Sequence, residues 1–222
     1  MSNFTFKAQA DGAHLYFYGD IVGDSADKWA HEDVCPVDVR DALESAGDGP
    51  VTLHINSGGG DVFAAFAISN MLRAKKGKKT CMVDGVAASA ASVIALVCDE
   101  VIMPENAMLM IHRASGIIRG NAGEMREMAD VLDKIDGQML DVYENAAAEG
   151  VDREKLTQMV EAETWLTAKE SAGIFRTVAQ AQPLYMAAKV KLPGSAPESI
   201  RALMEKSEEE ELLRMRLNLQ EY

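Results

Sequence analysis

The 222-residue chain has only three cysteines, Cys35, Cys81 and Cys98. The count is odd and the spacing fits no metal pattern, so neither a disulfide framework nor a structural zinc is expected. A reducing compartment suits such a chain. No apolar run reaches the roughly 18 residues of a membrane span. The opening "MSNFTFKAQADGAH" has no basic region leading into an apolar one, so no secretory signal is expected. Positive charge is scarce: 22 Lys and Arg stand against 35 Asp and Glu, a net charge of -13. That balance argues against a nucleic-acid partner, which needs a basic surface. H-E-x-x-H is missing, no Walker lysine follows a glycine loop, and no G-x-S-x-G elbow occurs. No metal is expected, and there is no internal repeat. With 48% hydrophobic residues the chain can still bury one good core. The expectation is a soluble cytoplasmic globular protein.

The pattern that remains alternates strands with helices. "AHLYFYGDI" (13–21) and "PVTLHINS" (50–57) read as strands, the second running into Gly58, Gly59 and Gly60. "DVFAAFAISNMLRAKK" (61–76) follows with Phe63, Phe66, Ala67, Met71 and Ala74 at helical spacing. "KTCMVDG" (79–85) is a third strand, and "ASAASVIALVC" is apolar on all sides, as in a buried helix. "EVIMP" and "AMLMIH" are two more short strands. This order predicts an α/β fold of ββα or βαβ units. From Ala122 to Glu149 a long amphipathic helix carries Met125, Met128, Leu132, Ile135, Met139, Val142 and Tyr143 on one stripe, and Gly150 ends it. Helices over 152–163 and 167–172 come next. "LPGSAP" (192–197) breaks the chain before a charge-laced helical tail. The tail reads as a solvated helix or as a partner-binding segment.

Three features could carry chemistry. Ser89 stands at a strand-to-helix junction, among Gly85, Ala87, Ala88 and Ala90. It can cap its helix, fill space, or act as a nucleophile whose oxyanion meets the helix N-terminus. "NSGGGD" (56–61) can be a tight turn, or a cradle of bare N–H groups for an oxyanion or phosphate. His112 ends an apolar strand, as a structural histidine or a general base. His14, His31 and His54 have no comparable setting.

Taken in order, "INSGGGDVFAAFAISNML", "VDGVAASAAS", "MLMIH" and "ETWLTAKES" resemble the proteolytic subunit of Clp protease over roughly residues 13–175. The phage branch, the Clp-like head maturation (prohead) proteases, looks the closer match. The resemblance implies a crotonase-like spiral of ββα units with a protruding handle helix, assembled into homo-oligomeric rings. It implies a peptidase domain over 1–192, with the handle at about 115–150 and the tail at 193–222. It implies a serine endopeptidase with Ser89 as nucleophile, His112 as base, oxyanion amides at Gly60 and Ala90, and no cofactor. Its acid falls on Glu163 of "ETW", with Glu161 as alternative, since no aspartate stands there. Gly58 replaces a common proline in the glycine motif, and "FRTV" (175–178) replaces the usual Gly-x-x-Asp. Implied partners are protein substrates, such as capsid or scaffold proteins in host cytoplasm or prohead, or an ATPase unfoldase in the general proteolytic role. Two rival readings share the fold: a crotonase-type enzyme acting on acyl-coenzyme A, and a non-catalytic ring or scaffold component.

Overall fold

Alternating burial along neighbouring strands builds the central sheet of the computed structural model, which describes residues 6–9 and 12–180. Strand β1 (Phe6–Gln9) pairs antiparallel with β2 (Gly12–Phe17). Strands β3 (Val51–Ser57), β4 (Lys79–Ala88) and β5 (Glu100–Pro104) add to β2 in parallel. On β2, Leu15 and Phe17 point into the core, while His14 and Tyr16 take the opposite face. On that outer face His54 Nδ1 donates to the Asp84 carboxylate at 3.0 Å, and His54 Nε2 lies 3.0 Å from His14 Nδ1. His14 and His54 are thus neighbours in a polar row on the outer face of the sheet.

Helix α1 (Pro36–Ala46) was not foreseen from the sequence. Its start is legible in retrospect. Proline occupies the first turn and the Asp38 carboxylate accepts the Cys35 N–H at 2.9 Å. Helix α2 (Val62–Ala74) forms as expected but turns a different face inward. Ala64, Ala65, Ile68 and Leu72 are buried, whereas Phe63 is 63% exposed. The small alanines let α2 lie close on the core, which the larger phenylalanine would prevent. Helix α3 (Ala90–Leu96) is buried at all seven positions, as its apolar sequence demands.

Strand β4 changes partner near its end. Thr80–Met82 pairs with β5, but Val86–Ala88 runs beside β6 (Met108–Ile111), while β3 stays on the other side through Ala87. The break coincides with a register shift between Ile55 and Ser57 on β3. Strand β6 pairs antiparallel with β7 (Thr164–Thr167), a strand the sequence reading missed inside "TWLT". Helix α4 (Ala122–Ala146) comes between them, then α5 (Arg153–Glu161). Helix α6 (Ala168–Ile174) leads to β8 (Thr177–Gln180), which adds to β5 in parallel. The last strand therefore forms with "FRTV" in place of Gly-x-x-Asp. The result is a mixed α/β fold.

The long helix departs from expectation in one respect. The resemblance implies a handle that protrudes over about 115–150. In the structure Ile135, Met139, Leu140, Val142, Tyr143 and Ala146 are buried within this chain. Only the first half stands clear, with Met125 49% and Val131 41% exposed. The charged tail from 193 lies outside the described residues.

Candidate active site

Strand β4 delivers Ser89 to the start of α3 in an unusual conformation. Its φ of 54° and ψ of -126° lie in a region that residues with a Cβ avoid, at a cost of about 1–3 kcal/mol. Three bonds hold it there. The Ser89 N–H donates to the Met110 carbonyl at 3.0 Å, which ties the bend to β6. The Ser89 carbonyl accepts the Ser92 N–H at 2.9 Å and the Ser92 hydroxyl at 2.6 Å. With its one proton spent, Ser92 Oγ accepts from the buried Tyr143 hydroxyl of α4 at 2.9 Å. The Ser89 side chain makes no capping bond to α3. Its Oγ lies 2.7 Å from His112 Nε2 instead.

His112 follows directly on β6. Burial favours its neutral form and lowers its pKa below the ordinary 6.5, against the opposing pull of the Glu163 and Asp136 carboxylates. The β6–β7 register pairs Ile111 with Thr164, so one step further sets Glu163 opposite His112. Glu163 Oε2 is 3.9 Å from His112 Nδ1, beyond hydrogen-bond range but close enough for charge to act. The Trp165 indole N–H donates to Glu163 Oε1 at 3.4 Å. A helix running through 163 was expected. Helix α5 instead ends at Glu161, and Glu163 takes a positive φ of 49° that turns the chain into β7. Glu161, the alternative acid, is exposed at the helix end. Glu163→Gln is therefore expected to slow turnover more than Glu161→Gln, as peptidase assays on the two purified variants would read. A larger loss at Glu161 would remove Glu163 from this role.

The glycine turn after β3 packs against the bend at Ser89. A Cβ on Gly59, whose φ is 102°, would lie 2.7 Å from the Ala88 carbonyl oxygen and 2.8 Å from Ser89 Cβ. Only hydrogen fits there. The Gly59 N–H donates to Ser57 Oγ at 3.1 Å. Its carbonyl accepts from the Ile21 N–H at 2.8 Å, and the Asp61 N–H donates to the Ile21 carbonyl at 2.7 Å. The residue between them, Gly60, therefore has its amide turned away from Ile21. Ala90 opens α3, where an N–H has no acceptor within the helix. Asn56 Oδ1 accepts the Val86 N–H at 3.2 Å and so joins the glycine turn to β4. Among the described residues no group of three or more His, Cys, Asp or Glu is placed to hold a metal ion.

A sequence model described as Clp protease matches residues 37–181. The chain belongs to the Clp protease family. Relatives from that family include the ATP-dependent Clp protease proteolytic subunit 1 of Chlamydia trachomatis serovar D, 32% identical over 126 residues, or 55% of this chain and 65% of the relative. Subunit 2 of Treponema denticola is 34% identical over 55% of this chain and 61% of its own length. The matched regions thus span just under two thirds of these two relatives. Subunit 3 of Rhizobium meliloti is 28% identical over 71% of this chain and 77% of its own. A solved structure of a ClpP1 point mutant from Listeria monocytogenes shares the fold with a TM-score of 0.62 at 23% identity, covering 76% of this chain and 91% of that one.

Two polar side chains near the Ser89–His112 pair were given no part in it by the sequence reading. Asp136 and Tyr143 of α4 are both buried, Asp136 against the segment after His112 and Tyr143 behind Ser92. The signal was a charge in phase with the apolar stripe, since Asp136 lies three residues before Met139 and seven before Tyr143.

Proposed function

We propose that the chain is a Clp-type serine endopeptidase. The observation that carries this reading is the 2.7 Å contact between His112 Nε2 and Ser89 Oγ, made by a serine held in a strained backbone. Glu163 beside Nδ1 favours the tautomer with its proton on that nitrogen, which leaves the Nε2 lone pair facing the hydroxyl. Ser89 attacks a peptide carbonyl while His112 takes its proton, and the amides of Gly60 and Ala90 receive the oxyanion. His112 then protonates the leaving amine, and water, activated by the same base, releases the acyl group. Burial favours the neutral imidazole of His112, the state a base requires. A fluorophosphonate probe should label one serine, and peptide mapping should place the label on Ser89. An unlabelled protein that hydrates or isomerises acyl-coenzyme A thioesters would favour the crotonase-type reading. An unlabelled protein without either activity would favour a scaffold component.

The reading extends to assembly. The first half of α4 is largely exposed, and Ile117 before it is fully exposed, with Ile118, Met125 and Val131 exposed beside it. An apolar strip of this kind is a liability on a free subunit. A homo-oligomeric ring paired through this handle covers it. Light scattering behind a sizing column should find a high-mass species. Met125→Glu with Val131→Glu should break it down and lower activity. Ile135 is unsuitable for that test, because it sits in the subunit's own core. A 24.0 kDa monomer with full activity would overturn the ring.

The substrate reading has two forms. The resemblance to phage head maturation proteases favours capsid or scaffold proteins as substrates. The printed names of the relatives, ATP-dependent proteolytic subunits, favour general proteolysis with an ATPase partner. Incubation with a capsid or scaffold protein alone, and with a folded protein in the presence and absence of an unfoldase and ATP, separates them.

A further inference from the structure

Helix α4 reaches both members of the Ser89–His112 pair. Tyr143 backs the serine through Ser92, and Asp136 backs the histidine from the same face. Asp136 as a residue is 7% exposed. Its Oδ1 accepts the Ala114 N–H at 2.7 Å and its Oδ2 accepts Arg113 Nε at 2.6 Å. Both oxygens are thus committed to the two residues that follow His112. Arg113 also reaches Asp133, one turn earlier on the more exposed side of α4. Taking a carboxylate out of water costs several kcal/mol, and an apolar residue in such a place is often as stable or more so. Arg113 is half exposed, so the pair is only partly buried and adds little stability by itself.

We infer that Asp136 is a positioning residue for His112. It clamps the Arg113 side chain and the Ala114 backbone so that the imidazole stays aimed at Ser89 Oγ. The inference rests on reading Ser89 and His112 as nucleophile and base. It gives α4 a direct part in catalytic alignment, because the helix that carries the exposed handle also carries the clamp. The groups around it fix the electrostatic sign. His112 and Arg113 face it from the end of β6, Asp133 and Tyr143 lie along α4, and Glu163 faces His112 from the start of β7. The Asp136 charge favours the imidazolium and so opposes the effect of burial on His112. It also raises the Tyr143 pKa, though burial is the larger cause there.

The test measures two quantities on the full assembled protein: the fluorophosphonate labelling rate against pH, and the NMR titration of the His112 ring. Asp136→Asn keeps the shape and an acceptor for Ala114 but removes the charge. It should slow labelling roughly 10–100-fold, the scale of a small misplacement of a reacting group. It should also move the His112 titration to lower pH. Arg113→Gln leaves Asp136 charged without its partner and should move the titration the opposite way. Asp136→Glu keeps the charge at a different reach and should recover the titration more fully than the rate. The inference is overturned if Asp136→Asn melts like wild type and leaves the titration in place, even with slower labelling, since general loosening does that too. If Asp136→Asn does not fold, Arg113→Gln decides, and an unmoved titration there overturns it. A wild type that fails to label removes the serine-peptidase reading. The His112 titration then judges Asp136 by itself.

Discussion

Ser89→Ala is expected to lower peptide hydrolysis by on the order of 10⁶-fold, the loss seen when the serine of a comparable triad is removed. The fold should survive unchanged. The Ser89 hydroxyl bonds to His112 Nε2 at 2.7 Å, and the bonds that hold its backbone come from its own N–H and carbonyl. Alanine retains the Cβ, so the strain at φ 54° is the same in both proteins and does not enter the difference. Stability should therefore differ by less than about 1 kcal/mol. Thermal melting checks the second statement and a peptide assay the first. Activity within tenfold of wild type would remove Ser89 as nucleophile. A melting point far below wild type would show instead that the hydroxyl has a structural task, which its missing cap bond to α3 gives no reason to expect.

The sequence was informative where one local pattern decides the structure. Strand β3 and the seven buried residues of α3 follow from composition and alternation alone. Ser89 and His112 could be marked by their places at the end of a strand, and the resemblance tied them together. What could not be read depends on relations between distant segments. Whether Glu161 or Glu163 faces His112 is decided by a helix stop and by a positive φ at Glu163, then by pairing of β6 with β7. Glutamate as a residue type does not predict a left-handed conformation. The inward face of α2 was misread because large apolar side chains were weighted over Ala64 and Ala65, whose small size is what allows close packing. Asp136 is not singled out by the sequence pattern. Its phase with Met139 and Tyr143 was visible, but the Arg113 and Ala114 partners that make its burial tolerable lie 23 and 22 positions away.

Gly60→Ala is expected to damage stability and catalysis together, by separable routes. At φ 142° an L side chain is strained whatever the space. The space is also taken. A Cβ at this position would lie 2.9 Å from both the carbon and the nitrogen of Ile21, and nearer still to its carbonyl oxygen. That oxygen accepts the Asp61 N–H at 2.7 Å, and the Asp61 carboxylate caps α2 through the Ala64 N–H at 2.7 Å. Pushing Ile21 aside therefore loosens a core residue and a helix cap in one step. Strain with the lost cap should cost about 2–4 kcal/mol. The catalytic part has another origin. If the Gly60 amide receives the oxyanion, turning it by a few tenths of an ångström forfeits a bond made in the transition state, worth about 10²–10³ in rate. Denaturant midpoints measure the first effect. Labelling of the folded fraction by a fluorophosphonate, at a temperature where both proteins are native, measures the second. Gly137→Ala on α4 is the control: a methyl there meets nothing within 4 Å, and the helix should gain about 0.5–1 kcal/mol. A Gly60→Ala protein that is destabilised yet labels at the wild-type rate would leave the turn as packing alone and move the oxyanion donor elsewhere.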